Sequence, residues 1–177
     1  MFEKAIELDP QYAAYAHLGF TYFLEWAWQW SQGPQSLEQA FALEQRAIAL
    51  DDSLPYAHNI LGQVYLYKKQ HEQALAEVER AIALDPNNAN SYMNLGNILN
   101  FEGRSEETIG LVEKAMRLNP HYPVTYLLTL GVAYRLMGRY EEAIAVSKRL
   151  LTRNPNFLIT HASLAIIYSE LQRFPLA

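Results

Sequence analysis

Five histidines and two pairs of adjacent glutamates are the residues of this chain whose chemistry is worth testing first. His17, His58, His71, His121 and His161 show no HExxH or other ligand spacing, so the sequence predicts no metal site. Glu106-Glu107 and Glu141-Glu142 could in principle share acid–base work. Each pair, however, follows a short turn and opens a helical segment, where negative charge suits the positive end of the helix dipole. There is no GxGxxG, no P-loop and no GxSxG, and Ser, His and Asp occur in no arrangement that points to a triad. The chain has no cysteine, which excludes disulfides and Cys-ligated metals and fits a reducing compartment. The sequence therefore predicts no catalytic residue, no cofactor and no enzyme activity.

What remains is hydrogen-bonding chemistry. Asn94, Asn97 and Asn100 lie three apart and Asn90 four earlier, which on a helix makes a nearly continuous polar line. Asparagine both donates and accepts, so such a line could hold a peptide backbone without reading its sequence, or it could simply tolerate a solvated face. Four of these mediocre helix formers in one helix ask for a reason.

The elements that would position them recur. The stretch Pro55–Asn88 reads as a helix, a short turn, a second helix and a proline-marked turn; from Gly62, the next glycines of the same kind are Gly96, 34 residues on, and Gly131, 35 further. The first-helix pattern appears as Tyr15-x-x-Leu18-Gly19-x-x-Tyr22, His58-x-x-Leu61-Gly62-x-x-Tyr65, Tyr92-x-x-Leu95-Gly96 with Leu99, Leu127-x-x-Leu130-Gly131-x-x-Tyr134, and His161-x-x-Leu164-Ala165-x-x-Tyr168. The second helix repeats as Ala74/Ala81/Pro86, Thr108/Ala115/Pro120 and Ala143/Leu150/Pro155. Leu and Tyr at helical spacing make an apolar stripe, the small residues let two helices approach closely, and proline ends the unit. One hairpin cannot bury its own stripe, so neighbours must stack.

This pattern resembles the tetratricopeptide repeat over almost the whole chain. The resemblance implies an all-α fold: an α-solenoid, a right-handed superhelix of stacked antiparallel helix hairpins. The divisions expected are a truncated repeat at 1–11, a repeat at 12–54 with an insert near 24–36, repeats at 55–88, 89–123 and 124–157, and a lone first helix at 158–177. A chain that begins and ends in mid-repeat suggests a fragment of a longer bacterial protein, or ends covered by another chain. The resemblance also implies a concave groove lined by first helices, with a peptide or partner helix as its occupant. Its slots fall on Phe20, Tyr56, Asn59, Gln63, Tyr67, Asn90, Asn94, Asn97, Asn100, Phe101 and Arg135. Family members that clamp a C-terminal carboxylate use several cations there; Arg135 alone supplies one, so a carboxylate clamp is disfavoured. His58 and His161 share a slot that packs against a neighbouring helix in the family.

The first repeat is about nine residues too long, since Gly19 and Gly62 lie 43 apart. The surplus falls around Leu24–Ser36, which carries Trp26, Trp28 and Trp30, then Gly33-Pro34, then Ser36 and Gln39 spaced as a capping box. The tryptophans either pack beneath the insert as a satellite core or expose an interaction patch. Half the residues are hydrophobic and the net charge is only −5, with signs interspersed, which argues against disorder, nucleic acid and an anionic membrane. No run of about 18 apolar residues occurs, and Met1–Pro10 mixes acidic and basic residues unlike a signal peptide, so the default location is cytoplasmic. The sequence thus predicts a non-catalytic interaction module or scaffold. The alternatives are a self-association element, stacking end to end or through the Trp insert, and a regulatory segment like those on bacterial signalling enzymes such as nucleotide cyclases.

Overall fold

The computed structural model describes residues 12–30 and 35–173, so the expected helix at Phe2–Leu8 and the Gly33-Pro34 break lie outside it. The described residues form helices and no strands: α1 (Tyr12–Ala27), α2 (Gln35–Leu50), α3 (Pro55–Tyr67), α4 (His71–Leu84), α5 (Ala89–Phe101), α6 (Ser105–Leu118), α7 (Val124–Leu136), α8 (Tyr140–Arg153) and α9 (Leu158–Arg173). They divide into two compact units between Asn94 and Leu95, within α5. In the first unit α1 packs on α2 and α3, and α3 on α2 and α4. In the second, α7 packs on α6, α8 and α9, and α8 on α9.

The small residues explain why each hairpin closes. On α2, α4, α6 and α8 one buried stripe recurs in the same register: Ala40/Glu44/Ala47, Ala74/Val78/Ala81, Thr108/Val112/Ala115 and Ala143/Ser147/Leu150. Each stripe meets the glycine of its partner helix. At Gly62 an added Cβ would lie 2.5 Å from Val78 Cγ2 and 3.1 Å from the Ala74 carbonyl oxygen, so the two backbones approach as only glycine permits. The Thr108 hydroxyl uses the same closeness in α6, donating to the Gly96 carbonyl at 2.8 Å.

Turns follow from side-chain chemistry. Asp51, Asp85 and Asn119 each accept the backbone N–H two residues on, closing the turn after α2, α4 and α6. Asn88 does the same to Asn90 and so caps α5. Inside the hairpins Gly103 and Gly138 stand at positive φ, and Lys69 takes the equivalent left-handed position, φ 61°, at a steric cost that glycine would not incur. Arg104 and Arg139, one residue after those glycines, reach forward to Glu107 and Glu142, so the second glutamate of each pair holds an arginine as well as facing the helix dipole. The 16-residue α1 is longer than the 13-residue α3, α5 and α7. Because α2 already starts at Gln35, Ser36 sits inside its first turn and buried, not at the N-cap position expected from the capping-box spacing.

Candidate functional site

In unit 1 aromatic rings of α1 and α3 meet at two places. Tyr56 on α3 meets His17 at 5.1 Å between ring centroids and Phe20 edge-on at 5.8 Å. One helix length away, Tyr67 meets Phe23 at 5.9 Å and Trp26 at 4.8 Å. Phe20, Tyr56 and Trp26 are half-buried against the core of Phe23, Leu37, Ala40, Ile60 and Val64, while Tyr67 keeps 40% of its surface exposed. Burial raises the Tyr67 phenol pKa; it raises that of Tyr56 further, with the nearby Glu44 carboxyl adding to it, so both remain neutral hydrogen-bonding hydroxyls. The tryptophans separate by depth. Trp26 joins the core margin, whereas Trp28 is 46% exposed and Trp30 73%.

The asparagine line is placed differently from a solvated peptide ladder. Asn59 and Asn94 are buried, with Asn59 donating to the Ser91 hydroxyl at 2.6 Å and accepting from Asn94 at 3.4 Å. These bonds tie α3 to the start of α5. In unit 2, buried Asn100 donates to the Thr129 carbonyl at 3.0 Å. Gln63 is buried as well. All four amides are buried, and Asn59, Asn94 and Asn100 use theirs on an adjacent first helix. Asn90 is exposed and Asn97 half-buried. Phe101 is 61% exposed. Half-buried Arg135 pairs with Glu170 of α9 at 3.3 Å, so the one cation among the groove slots already has a carboxylate partner.

Two buried groups carry more chemistry than their sequence setting suggested. Glu44 is wholly buried, and neither carboxyl oxygen has a hydrogen-bond partner among the described residues. Burial pushes its pKa up to about 9. Its register was readable, for 44, 78 and 112 are spaced by 34 and hold Glu, Val and Val. His58 is buried, with Nδ1 2.6 Å from Glu77 Oε2 and Nε2 3.1 Å from the Asp52 carbonyl oxygen. Burial alone lowers its pKa, but the bonds to Glu77 and Asp52 and the charges of both carboxylates outweigh that and raise it. The slot has a shared task. Tyr92 donates to the Pro86 carbonyl at 2.9 Å and His161 contacts that of Pro155 at 2.8 Å, each six residues back, as His58 does to Asp52.

Among the described residues no group of three or more His, Cys, Asp or Glu could hold a metal ion. None of their helices is long and apolar enough to cross a membrane.

The comparisons with known proteins agree on the repeat. A family profile described as TPR repeat matches residues 62–100 and one described as tetratricopeptide repeat matches 87–156, together more than half of the chain. No curated protein matches. Among solved structures, the chain is similar to pilF of Pseudomonas aeruginosa, with 24% identity, TM-score 0.75, and coverage of 93% of this chain and 71% of that one. It is also similar to TTC0263, a thermophilic TPR protein of Thermus thermophilus, with 21% identity, TM-score 0.75, and coverage of 94% and 87%. A third is YrrB, described as a TPR protein with an unusual peptide-binding site, with 20% identity, TM-score 0.61, and coverage of 98% and 85%. These likenesses show the fold, an all-α helical-repeat solenoid.

Proposed function

Since the chain belongs to the tetratricopeptide repeat proteins, we propose that it is a non-catalytic protein-interaction module that holds a peptide or partner helix against its first helices. Proteins of this family generally bind other proteins, and one structural neighbour is described as peptide-binding. The observation that carries the reading here is the aromatic face of unit 1, where Phe20, Tyr56 and Tyr67 stand partly open to solvent on the packed pair α1 and α3. Aromatic anchors of this kind supply much of the free energy at protein interfaces, and their few rotatable bonds make them cheap to fix. Asn90 is the exposed expected slot on the part of α5 that belongs to unit 1. The buried asparagines hold the helices together instead of reading the partner.

Peptide-array binding to the full chain tests this. Phe20→Ala and Tyr67→Ala should each weaken any peptide captured by the wild type at least tenfold, about 1.4 kcal/mol. Undiminished binding by both variants would remove the aromatic face from consideration. A second reading, self-association, is favoured by the exposure of Trp28 and Trp30. Light scattering across a concentration range separates the two: a monomer throughout supports the peptide reading. A dimer abolished by Trp28→Ser with Trp30→Ser supports the other.

A further inference from the structure

Glu44 and His58 are explained neither by apolar packing of the hairpins nor by the aromatic face. Glu44 occupies the slot that holds Val78, Val112 and Ser147 in the other hairpins, with 0% of its surface exposed. A Cβ added at Gly19 would meet its Oε1 at 2.5 Å, so the carboxyl lies directly on the α1 backbone. Neither oxygen has a partner among the described residues. A site in which no described residue offers a hydrogen bond or a cation accepts the neutral acid and rejects the carboxylate. His58 presents the opposite case. Its two ring nitrogens face the Glu77 carboxylate and the Asp52 carbonyl, both of them acceptors. Only the imidazolium carries an N–H on each nitrogen and satisfies both.

We propose that unit 1 folds with proton uptake, holding Glu44 as the neutral acid and His58 as the imidazolium, and that it therefore loosens as pH rises through the neutral range. Among the described residues, the titratable and charged groups around the pair are Tyr15 and His17 of α1, Tyr56 of α3, Asp52 of the α2–α3 turn, and Glu77 and Arg80 of α4. Arg80 is the fixed cation in this set, and it pairs with Asp52, 3.2 Å away, not with Glu44. The sign is the same for both groups. Each has a folded pKa above its unfolded one, so each binds a proton on folding: Glu44 between 4.5 and about 9, His58 from 6.5 upward. Their contribution is fully present below the unfolded values and is lost as pH climbs through the folded ones.

The test is urea unfolding of the full chain from a pH of about 5 to about 8. One proton taken up on folding raises the unfolding equilibrium constant by up to about tenfold per pH unit. Relative to Glu44→Val, which restores the residue of the equivalent slots, the wild type should show that extra rise already between about pH 5 and 6, where His58 is protonated in both states. Relative to His58→Tyr, which keeps the donor that Tyr92 supplies in its own repeat, the wild type should show extra steepness only above about pH 6.5. Curves parallel to the wild type for both variants overturn the proposal. Should Glu44→Val fail to fold, carbon NMR of the glutamate carboxyls in the wild type decides. One glutamate carboxyl still protonated at neutral pH is expected; all of them ionised with ordinary midpoints overturns it.

Discussion

Gly62 and Gly110 both lie inside helices, yet a methyl group should act on them in opposite directions. At Gly62 the methyl would strike Val78 Cγ2 at 2.5 Å and press on the Ala74 carbonyl, a backbone atom that cannot swing aside. Overpacking outweighs the gain in helix propensity, and Gly62→Ala should destabilise the chain by about 1–2 kcal/mol. At Gly110, on the exposed side of α6, nothing lies within 4 Å of the added atom. Gly110→Ala should stabilise by about 1 kcal/mol through backbone entropy alone. Denaturant unfolding of the two variants checks both signs, and equal shifts would contradict the close approach of α3 and α4. The period singled out Gly62 from sequence, because it recurs as Gly96 and Gly131; Gly110 has no such counterparts.

Between elements, the link from α3 to α5 is polar as well as apolar. Asn59 sits between Ser91 and Asn94, so Asn59→Ala removes the bonds of 2.6 Å and 3.4 Å and strands two buried groups. The expected cost is about 1–3 kcal/mol, set mainly by the groups left unsatisfied. Ser91→Ala in the Asn59→Ala background should cost less than alone, and a double-mutant cycle on urea midpoints measures the coupling. Additive losses would mean the 2.6 Å contact contributes nothing. The helix face that carries these asparagines was legible in the sequence. Its direction was not, since spacing places residues on one face without saying whether that face meets water or another helix.

At the scale of the molecule, the exposed ion pairs among the described residues should contribute little that salt could remove. Arg104–Glu107 and Arg139–Glu142 are exposed pairs between residues three apart, where solvent and salt screen most of the attraction. Raising salt from about 0.1 M to about 1 M shortens the screening length from roughly 10 Å to roughly 3 Å. The urea midpoint should therefore move by less than the equivalent of about 1 kcal/mol. A larger loss would show that the exposed pairs act as a network. Stability instead comes from each hairpin burying its stripe against its neighbours.

The sequence by itself determined the period, the helices and the glycine–alanine seams, because these depend on the order of residues within a turn or two of helix. The family resemblance, not the spacing itself, assigned Tyr56 and Tyr67 to expected groove slots. Only the tertiary structure decided that Trp26 goes to the core margin while Trp28 and Trp30 stay exposed, and that Asn59 and Asn94 turn toward each other. It alone placed a carboxyl, Glu44, in a valine slot with no partner among the described residues. Each of these outcomes depends on which side chain arrives from another helix, often a repeat length away along the chain, and no local pattern records that meeting.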